Sequence, residues 1–192
     1  GAEVWAEQNA ASYLHVKELT QAEQLDALIA LGGDGTLLRA AQEAVRTNAP
    51  LLGINLGHMG FLTETEPDCL ETAVKALMEE RYTLENRMLL RIDRPHTGES
   101  YLALNDVVVN RGGYARLITL DAFAGEEIVG HYVADGLIVA TPTGSTGYSL
   151  SAGGPVIHPA VDCVVITPIC AHSLQHRTVV VHGNETLRLA LQ

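Results

Sequence analysis

The stretch at residues 28–36 reads Leu28-Ile29-Ala30-Leu31-Gly32-Gly33-Asp34-Gly35-Thr36, and it sets the fold of the first half of the chain. Four apolar residues followed by two glycines predict a short strand that ends in a turn. The run from Thr36 to Thr47 predicts a helix, because one of its faces is apolar: Leu37, Leu38, Ala41, Ala44 and Val45. The Asp34 carboxylate is therefore expected at a strand-to-helix turn.

This turn favours phosphate chemistry. Glycines allow positive φ and close backbone approach to a ligand, and the amides that open a helix attract anions. A carboxylate beside bound phosphate is suited to accept a proton from an attacking hydroxyl, or to help hold a metal that the phosphates carry. Both roles are typical of a kinase. The chain has neither a Gly-x-x-x-x-Gly-Lys-Ser/Thr segment nor a Gly-x-Gly-x-x-Gly segment, and a plain structural turn is the alternative.

A second glycine-rich stretch runs from Asp135 to Pro155 and contains Thr141-Pro142-Thr143-Gly144-Ser145-Thr146-Gly147-Tyr148-Ser149. Together with the Gly32–Thr36 turn, the segment Asn55–Leu62 and the segment Leu104–Val108, it forms an ordered motif set that resembles the NAD kinase family. The resemblance extends from about Leu28 to the end of the chain. It implies transfer of the terminal phosphoryl group of ATP, or of polyphosphate in some members, to the 2′-hydroxyl of the adenosine ribose of NAD, which gives NADP. Mg²⁺ or another divalent cation would accompany the ATP.

The resemblance also implies roles for residues of the first turn. Asp34 would be the general base, with a structural turn residue as the alternative. Four residues would line the phosphates: Gly33, Gly35, Thr36 and Arg39. For Arg39, a place on the solvated face of the helix is the alternative.

The dinucleotide would be held by residues spread over the chain. An amide beside a carboxylate, Asn105 and Asp106, offers donors and acceptors for a base edge and ribose hydroxyls, with a strand-leading turn as the alternative. Phe61 would pack on the adenine unless it is a core residue, and Arg116 is a second cation unless it is a surface charge. The remaining implied NAD-binding residues are Asp34, Gly35, Asp135, Thr146, Gly147, Tyr148, Ser149 and Ser151. Ser145 is predicted to cap a short helix in this segment.

One position departs from the family pattern. Some members carry a basic residue two positions before the aspartate that opens the second glycine-rich stretch, and here that position is Val133. Discrimination between the oxidised and the reduced dinucleotide by such a cation is therefore not expected. His58, in the Asn55–Leu62 segment, receives no catalytic role.

Composition limits the partners. At 192 residues with 47% hydrophobic content, the chain can bury a core in one or two domains. A net charge of −11 disfavours nucleic acid. No apolar run approaches the roughly 20 residues that span a bilayer, and no signal pattern opens the chain. A cytoplasmic enzyme without membrane partners is expected, and the resemblance favours a homodimer or homotetramer.

The cysteines do not predict a disulfide set or a metal site. Cys69, Cys163 and Cys170 are odd in number and expected to be reduced. Cys163, Cys170, His172 and His176 offer four soft ligands in a short span, but Cys163 lies in a β-type run, which disfavours structural zinc.

The pattern changes character near residues 81–87. Before it, alternating elements predict a three-layer, Rossmann-like α/β domain over 1–84: a strand at 2–5, a helix capped by Thr20 with Glu23, strands at 28–31 and 51–54, and a helix over 68–80. After it, a sandwich-like all-β, dinucleotide-binding domain is expected over 85–192. Its predicted strands are 88–92, 106–110, 117–123, 127–133, 137–139, 164–167, 178–181 and 187–191.

The resemblance further implies that the chain is shortened at both ends. Two alternative functions stay open. A lipid or diacylglycerol kinase shares the Gly-Gly-Asp-Gly turn but is not expected to carry the second stretch. A truncated module that binds NAD without turnover is the other.

Overall fold

The computed structural model describes residues 2–57, 62, 65, 67–110, 112, 117–172 and 177–192. It consists of two compact units, Gly1–Leu84 and Glu85–Gln192. The first unit is built from helices and short parallel strands, whereas the second is almost entirely β. The predicted order, an α/β domain followed by a β-rich domain, is confirmed.

The first unit contains two strand–helix–strand crossovers. Its elements are β1 (Trp5–Ala6), α1 (Gln8–Leu14), β2 (Lys17–Glu18), β3 (Leu28–Leu31), α2 (Asp34–Thr47), β4 (Leu51–Ile54) and α3 (Leu70–Met78), with 3₁₀ turns at Leu19–Gln21 and Pro67–Cys69. Strands β1 and β2 pair in parallel, as do β3 and β4. Parallel neighbours joined by a helix place the loops that follow β3 and β4 at the same sheet edge, where open α/β folds bind ligands.

Helix α2 has a buried face and a clear C-terminal cap. It buries Leu37, Ala41 and Thr47, which lie on one side at helical spacing. Asn48 then adopts the left-handed conformation with φ of 52°, and its amide returns to the carbonyls of Ala44 and Val45. This arrangement satisfies carbonyls that the helix end would otherwise leave open.

The predicted helix start at Thr20 is wrong. Residues 19–21 form only a 3₁₀ turn, and the helix of this region is α1, which lies earlier. Arg46 of α2 explains the outcome, because its guanidinium donates to the carbonyls of Leu19 and Ala22 at 3.0 and 2.6 Å. Those carbonyls are thus held by another element. The first predicted strand, at 2–5, is likewise displaced to Trp5–Ala6.

The second unit is a pair of sheets with an added hairpin. Its strands are β5 (Leu90–Arg94), β6 (Glu99–Ala103), β7 (Asp106–Asn110), β8 (Ile118–Ala124), β9 (Glu127–Ala134), β10 (Gly136–Ala140), β11 (Cys163–Ile169), β12 (Val179–His182) and β13 (Leu187–Leu191). A 3₁₀ turn at Thr143–Thr146 leads into the single-turn helix α4 (Tyr148–Ser151). One sheet has the order β12-β11-β10-β7, a second has the order β13-β8-β9, and β5 and β6 pair alone.

The core lies between the two larger sheets. Ile118, Leu120 and Tyr132 from the three-stranded sheet pack against Leu137 and Ile166 from the four-stranded sheet. This contact is that of the predicted β-sandwich.

The opposite face of the four-stranded sheet is also covered. Ile138, Ala140 and Val165 pack there against Ala152 and Ile157, which follow α4. The inner strands β10 and β11 are therefore buried on both faces, one of which is covered by the segment that follows α4.

Most of the predicted strands are confirmed within about two residues, but β6 was not predicted. Its residues are mostly exposed and include Glu99 and Ser100, so no buried alternation marks it. Cross-strand pairs supply the signal instead, as in the ion pair of Glu99 with Arg94 on β5. Among the described residues, no helix is long and apolar enough to cross a membrane.

Candidate nucleotide site

The turn between β3 and α2 is shaped by one glycine and opened by two others. Gly32 has φ of +152°, and a Cβ there would lie 2.5 Å from the Thr36 hydroxyl. Gly33 is exposed with φ of −87°, and within the described part of the chain neither it nor Gly35 has a non-neighbouring atom within 4 Å of a would-be Cβ. The prediction that glycines on both sides of Asp34 supply positive φ therefore holds for Gly32 alone. Gly33 and Gly35 instead keep open space where a ligand can reach the backbone.

The amides of this turn are divided between the helix and its surroundings. The Gly32 amide donates to Ile54 of β4 at 2.9 Å, which ties the turn to the neighbouring strand. The Thr36 and Leu37 amides both donate to the Gly33 carbonyl, at 2.9 and 3.3 Å. Thr36 therefore offers its hydroxyl rather than its amide to a ligand. Arg39 lies one turn along α2 on its exposed side.

Asp34 is the first residue of α2 and is half-buried. Its Oδ1 accepts a hydrogen bond from the Leu62 amide at 3.2 Å. The helix macrodipole places partial positive charge at this end, which attracts anions. The carboxylate is thus held between the phosphate turn and the loop that follows β4.

Asn55 organises the backbone that follows β4, and sequence reasoning left it without a role. It follows β4 directly and is only 4% exposed. Its side-chain oxygen accepts a hydrogen bond from the Gly57 amide at 3.0 Å, and its backbone amide donates to the Thr65 carbonyl at 2.8 Å. Asn55 therefore begins the segment that contains Leu62, whose amide donates to Asp34. A polar residue immediately after a buried parallel strand is the signal that could have identified it.

In the second unit, the turn at 141–147 is locked to the segment before β7. Thr141 is fully buried. Its backbone amide donates to the Asn105 carbonyl at 2.8 Å, and its hydroxyl donates to the Leu104 carbonyl at 2.6 Å. The Thr141 hydroxyl also accepts the Gly144 amide at 3.0 Å. A Cβ on Gly144 would overlap the Asn105 carbonyl, so only glycine fits here.

This packing brings the amide–carboxylate pair onto the turn. A Cβ at Gly147 would lie 3.6 Å from Asp106 Oδ2 and 3.7 Å from Asn105 Nδ2. Burial raises the pKa of the Asp106 carboxyl above its ordinary value. Asn105 Oδ1 is buried and has no hydrogen-bond partner among the residues that the structure describes. A buried acceptor without a donor costs free energy, so a ligand donor at this point would be favoured.

The segment after Gly147 divides into exposed and buried positions. Tyr148 and Ser151 are exposed, as is Asp135 ahead of β10, while Thr146 is half-buried. Ser149 is fully buried and its hydroxyl lies 2.9 Å from that of Thr167. The prediction that the Ser149 hydroxyl is a direct ligand contact is therefore not supported by its position.

The predicted cap at Ser145 is wrong. The residue that precedes α4 is Gly147, which makes no side-chain cap. Ser145 lies inside the 3₁₀ turn, fully buried, where its hydroxyl donates to Pro142 at 2.6 Å and accepts the Ile157 amide at 2.9 Å. It therefore ties the turn to the chain that returns past α4.

Two predicted ligand contacts, Phe61 and Arg116, lie outside the described residues, as does His176 of the soft-ligand set. No group of His, Cys, Asp or Glu within the described part of the chain could hold a metal ion by itself. Cys163 is buried, and this burial, together with the negative charge of Asp162, raises the pKa of its thiol. Its chemistry is that of a core residue.

An α/β unit with a glycine-rich strand-to-helix turn, followed by a β-rich unit with a second glycine-rich turn, places the chain in a two-domain, α/β-plus-β class of fold. Family models agree in both units. The ATP-NAD kinase N-terminal domain matches residues 4–82, and the ATP-NAD kinase C-terminal domain matches residues 104–192. The chain belongs to the NAD kinase family.

Individual relatives give the same result. The NAD kinase of Moorella thermoacetica is 47% identical over 168 residues, which cover 86% of this chain and 54% of that protein. The NAD kinase of Geotalea daltonii is 46% identical over 173 residues, which cover 88% of this chain and 61% of that protein. The chain thus spans between about half and three-fifths of these relatives' lengths.

Solved structures share the fold. Yeast NADH kinase complexed with NADH matches with a TM-score of 0.78 and 32% identity, over 87% of this chain and 50% of that chain. An NAD kinase from Archaeoglobus fulgidus in complex with ATP matches with a TM-score of 0.77 and 31% identity, over 96% of this chain and 75% of that chain.

Proposed function

We propose that the chain carries the catalytic site of an ATP-dependent NAD kinase, which phosphorylates the 2′-hydroxyl of the adenosine ribose of NAD to give NADP. One observation carries the proposal. Asp34 opens α2 at the edge where β3 and β4 end, with open space over Gly33 and Gly35 on either side of it. A carboxylate in that position is placed to take a proton beside bound phosphate.

The reaction balances with Asp34 as general base. The Asp34 carboxylate accepts the proton of the 2′-hydroxyl, and the hydroxyl oxygen forms a bond to the terminal phosphorus of ATP. The bond from that phosphorus to the bridging oxygen breaks, and ADP leaves with the electron pair. The Leu62 amide, by donating to Asp34 Oδ1, holds the carboxylate in one orientation. General bases of this kind contribute about 10²- to 10⁴-fold in rate.

The triphosphate would lie over the turn that precedes α2. Backbone at Gly33 and Gly35 is open to solvent, and the α2 N-terminus supplies partial positive charge. The Thr36 hydroxyl and the exposed Arg39 guanidinium complete the set with a donor and a cation. The chain contains 12 basic and 23 acidic residues, so few cations besides Arg39 can balance the charge of the phosphates.

Mg²⁺ would enter with ATP rather than occupy a cage of protein ligands. Magnesium is typically held by one or two carboxylates together with substrate phosphates. With Asp34 assigned as the base, the substrate phosphates and water would supply the ligands of the ion. When bound, the ion would neutralise charge on the transferring phosphoryl group.

The dinucleotide would be held in the second unit by the turn at 141–147 and the segment before β7. The buried Asn105 Oδ1 calls for a donor, such as the exocyclic amine of adenine, and the Asp106 carboxyl can serve ribose hydroxyls. The exposed ring of Tyr148 offers a flat wall. Further contacts are assigned to Asp135, Thr146, Gly147 and Ser151. The roles of Phe61 and Arg116 stay predictions.

A test of the proposal is to incubate the purified chain with NAD, ATP and Mg²⁺ and to measure NADP with an NADP-specific dehydrogenase. The expected result is NADP formation that requires both substrates. Parallel reactions replace ATP by polyphosphate, NAD by NADH, or NAD by extracted lipid. Phosphorylated lipid without NADP would identify a lipid kinase and overturn the proposal. Calorimetric binding of NAD without NADP formation would instead identify a binding module.

The setting of the enzyme follows from the same proposal. We infer a homo-oligomer, because the family resemblance favours a dimer or tetramer, and we propose the cytoplasm as its location. The net charge of −11 disfavours a nucleic-acid partner.

A further inference from the structure

Helix α4 needs external support to hold its position. It has four residues, and a single helical turn is unstable on its own because nucleation is costly. Gly147 caps it without a side chain. The outer side presents Tyr148, which is 47% exposed. The orientation of α4 must therefore be set by its buried side, which contains Ser149.

The inner side is held by a chain of three hydroxyls. Ser149 Oγ lies 2.9 Å from Thr167 Oγ1, and the Thr178 hydroxyl donates to the same Thr167 oxygen at 3.4 Å. Ser149 and Thr167 are both fully buried. Thr167 belongs to β11, which pairs with β10 on one side and β12 on the other. The hydroxyl chain thus connects α4 to an inner strand of the sheet.

The chain of hydroxyls is tightly enclosed. The Gly154 amide donates to the Ser149 carbonyl at 2.8 Å as the backbone leaves α4. A Cβ on Gly154 would overlap the Ser149 hydroxyl and lie 2.8 Å from Thr167 Oγ1. The backbone at Gly154 therefore closes directly over these hydroxyls. Buried hydrogen bonds of this kind are directional, so they select one arrangement where apolar contacts would allow several.

We propose that Thr167 is a positioning residue for the dinucleotide: through Ser149 it fixes the orientation of α4 and thereby holds the Tyr148 ring where NAD binds. Thr167 itself is buried and contacts no substrate. The inference rests on the proposed function in so far as it takes the Tyr148 side of α4 to be the dinucleotide surface.

The test uses Thr167→Val, which keeps the side-chain shape and removes the hydroxyl, and Thr167→Ser, which keeps the hydroxyl. We expect Thr167→Val to raise the Kd and KM for NAD about 3- to 10-fold, the range of one lost buried hydrogen bond. The KM for ATP and kcat stay within about two-fold, because the first unit is untouched. Thr167→Ser restores NAD affinity. Thr119→Val, at a half-buried strand position in the other sheet, is the matched control and leaves NAD binding unchanged.

A double-mutant cycle with Tyr148→Ala separates positioning from general stability. If Thr167 acts through the tyrosine ring, Thr167→Val has no further effect on NAD affinity once the ring is removed. A full effect of Thr167→Val in the Tyr148→Ala background would overturn the inference. So would a lower Tm without any change in NAD affinity. If Thr167→Val does not fold, Ser149→Ala replaces it in the same cycle.

Binding is measured by calorimetry, so the inference and the proposed function can fail separately. A wild-type chain that binds NAD but forms no NADP contradicts the proposed reaction, while the cycle still tests Thr167. A wild-type chain that does not bind NAD overturns both.

Discussion

The two turns of this protein, one in each unit, solve different problems. The turn before α2 is open: no described residue beyond their chain neighbours comes within 4 Å of a would-be Cβ on Gly33 or Gly35, and the turn exposes backbone at a helix end. The turn at 141–147 is closed: Thr141 and Ser145 are fully buried, and their hydroxyls donate to the carbonyls of Leu104 and Pro142. The first is the turn that we propose for the phosphates. The second is preorganised for a ligand that must be held in one pose.

The comparison teaches why glycine occurs in both turns for opposite reasons. At Gly33 the missing side chain leaves room for a ligand, whereas at Gly144 it leaves room for the Asn105 backbone. Substitutions should therefore separate function from stability in the first turn and join them in the second.

The largest effect is expected at the reacting carboxylate. Asp34→Asn keeps the shape and the contact with the Leu62 amide but removes basicity. We expect kcat to fall about 10²- to 10⁴-fold while NAD affinity falls only modestly. Steady-state NADP formation and calorimetric NAD binding measure the two quantities. Unchanged turnover would refute Asp34 as the base.

The second prediction contrasts the two glycines directly. Gly144→Ala is expected to lower the free energy of unfolding by about 3 kcal/mol, because the methyl group meets backbone that cannot move aside. Gly33→Ala is the matched control, with open space and an ordinary φ, and should change stability by less than about 0.5 kcal/mol. Denaturant titration measures both.

The same pair tests the phosphate assignment. A folded Gly33→Ala protein should have a raised KM for ATP, because the methyl group occupies the space proposed for phosphate. An unchanged KM for ATP would reduce the glycine to a turn-forming role.

Sequence patterns predicted the fold well where burial is periodic. Leu28–Leu31, Leu51–Ile54, Asp106–Asn110 and Leu187–Leu191 are strands with the predicted bounds. The prediction failed where tertiary contacts override local signals. Arg46 captures the carbonyls that a helix at Thr20 would need, although it lies 24 residues beyond Ala22 in sequence.

The site was predictable in kind but not in detail. Motif resemblance identified the two turns, yet the sequence could not show that Ser149 and Ser145 point inward, because serine occurs readily in both settings. The position of Asn55 directly after a buried strand is a signal that the sequence contains, but the hydrogen bond from its backbone amide to Thr65 cannot be read from the sequence. Such facts depend on which backbone groups meet in space.

The third prediction concerns ligand preference in the closed turn. Asn105→Ala removes the buried acceptor and is expected to weaken NAD binding about 10-fold, the effect of one well-placed hydrogen bond. ATP binding should stay within about two-fold, because the proposed phosphate site lies in the other unit. Calorimetry with each ligand measures both. Equal losses for NAD and ATP would mean that Asn105 supports the fold rather than the dinucleotide.

The smallest effect is expected at Asp106, where burial raises the pKa of the carboxyl. A carboxyl with a raised pKa in the folded state favours folding when protonated. This contribution is therefore present below the pKa of the unfolded chain and is lost as pH rises through the folded pKa. Asp106→Asn, which cannot ionise, should gain stability relative to wild type at neutral pH and lose that advantage in acid.

The difference should stay below about 1 kcal/mol, because Asp106 is only half-buried and solvent screens its charge. Thermal unfolding of the wild type and of Asp106→Asn, from neutral pH into acid, measures this difference. Asp121→Asn provides the opposite case, because hydrogen bonding to His131 lowers the pKa of that carboxyl and its ionised form stabilises the fold. If the stability difference from wild type changed with pH in the same direction for both variants, desolvation of Asp106 in the closed turn would not be supported.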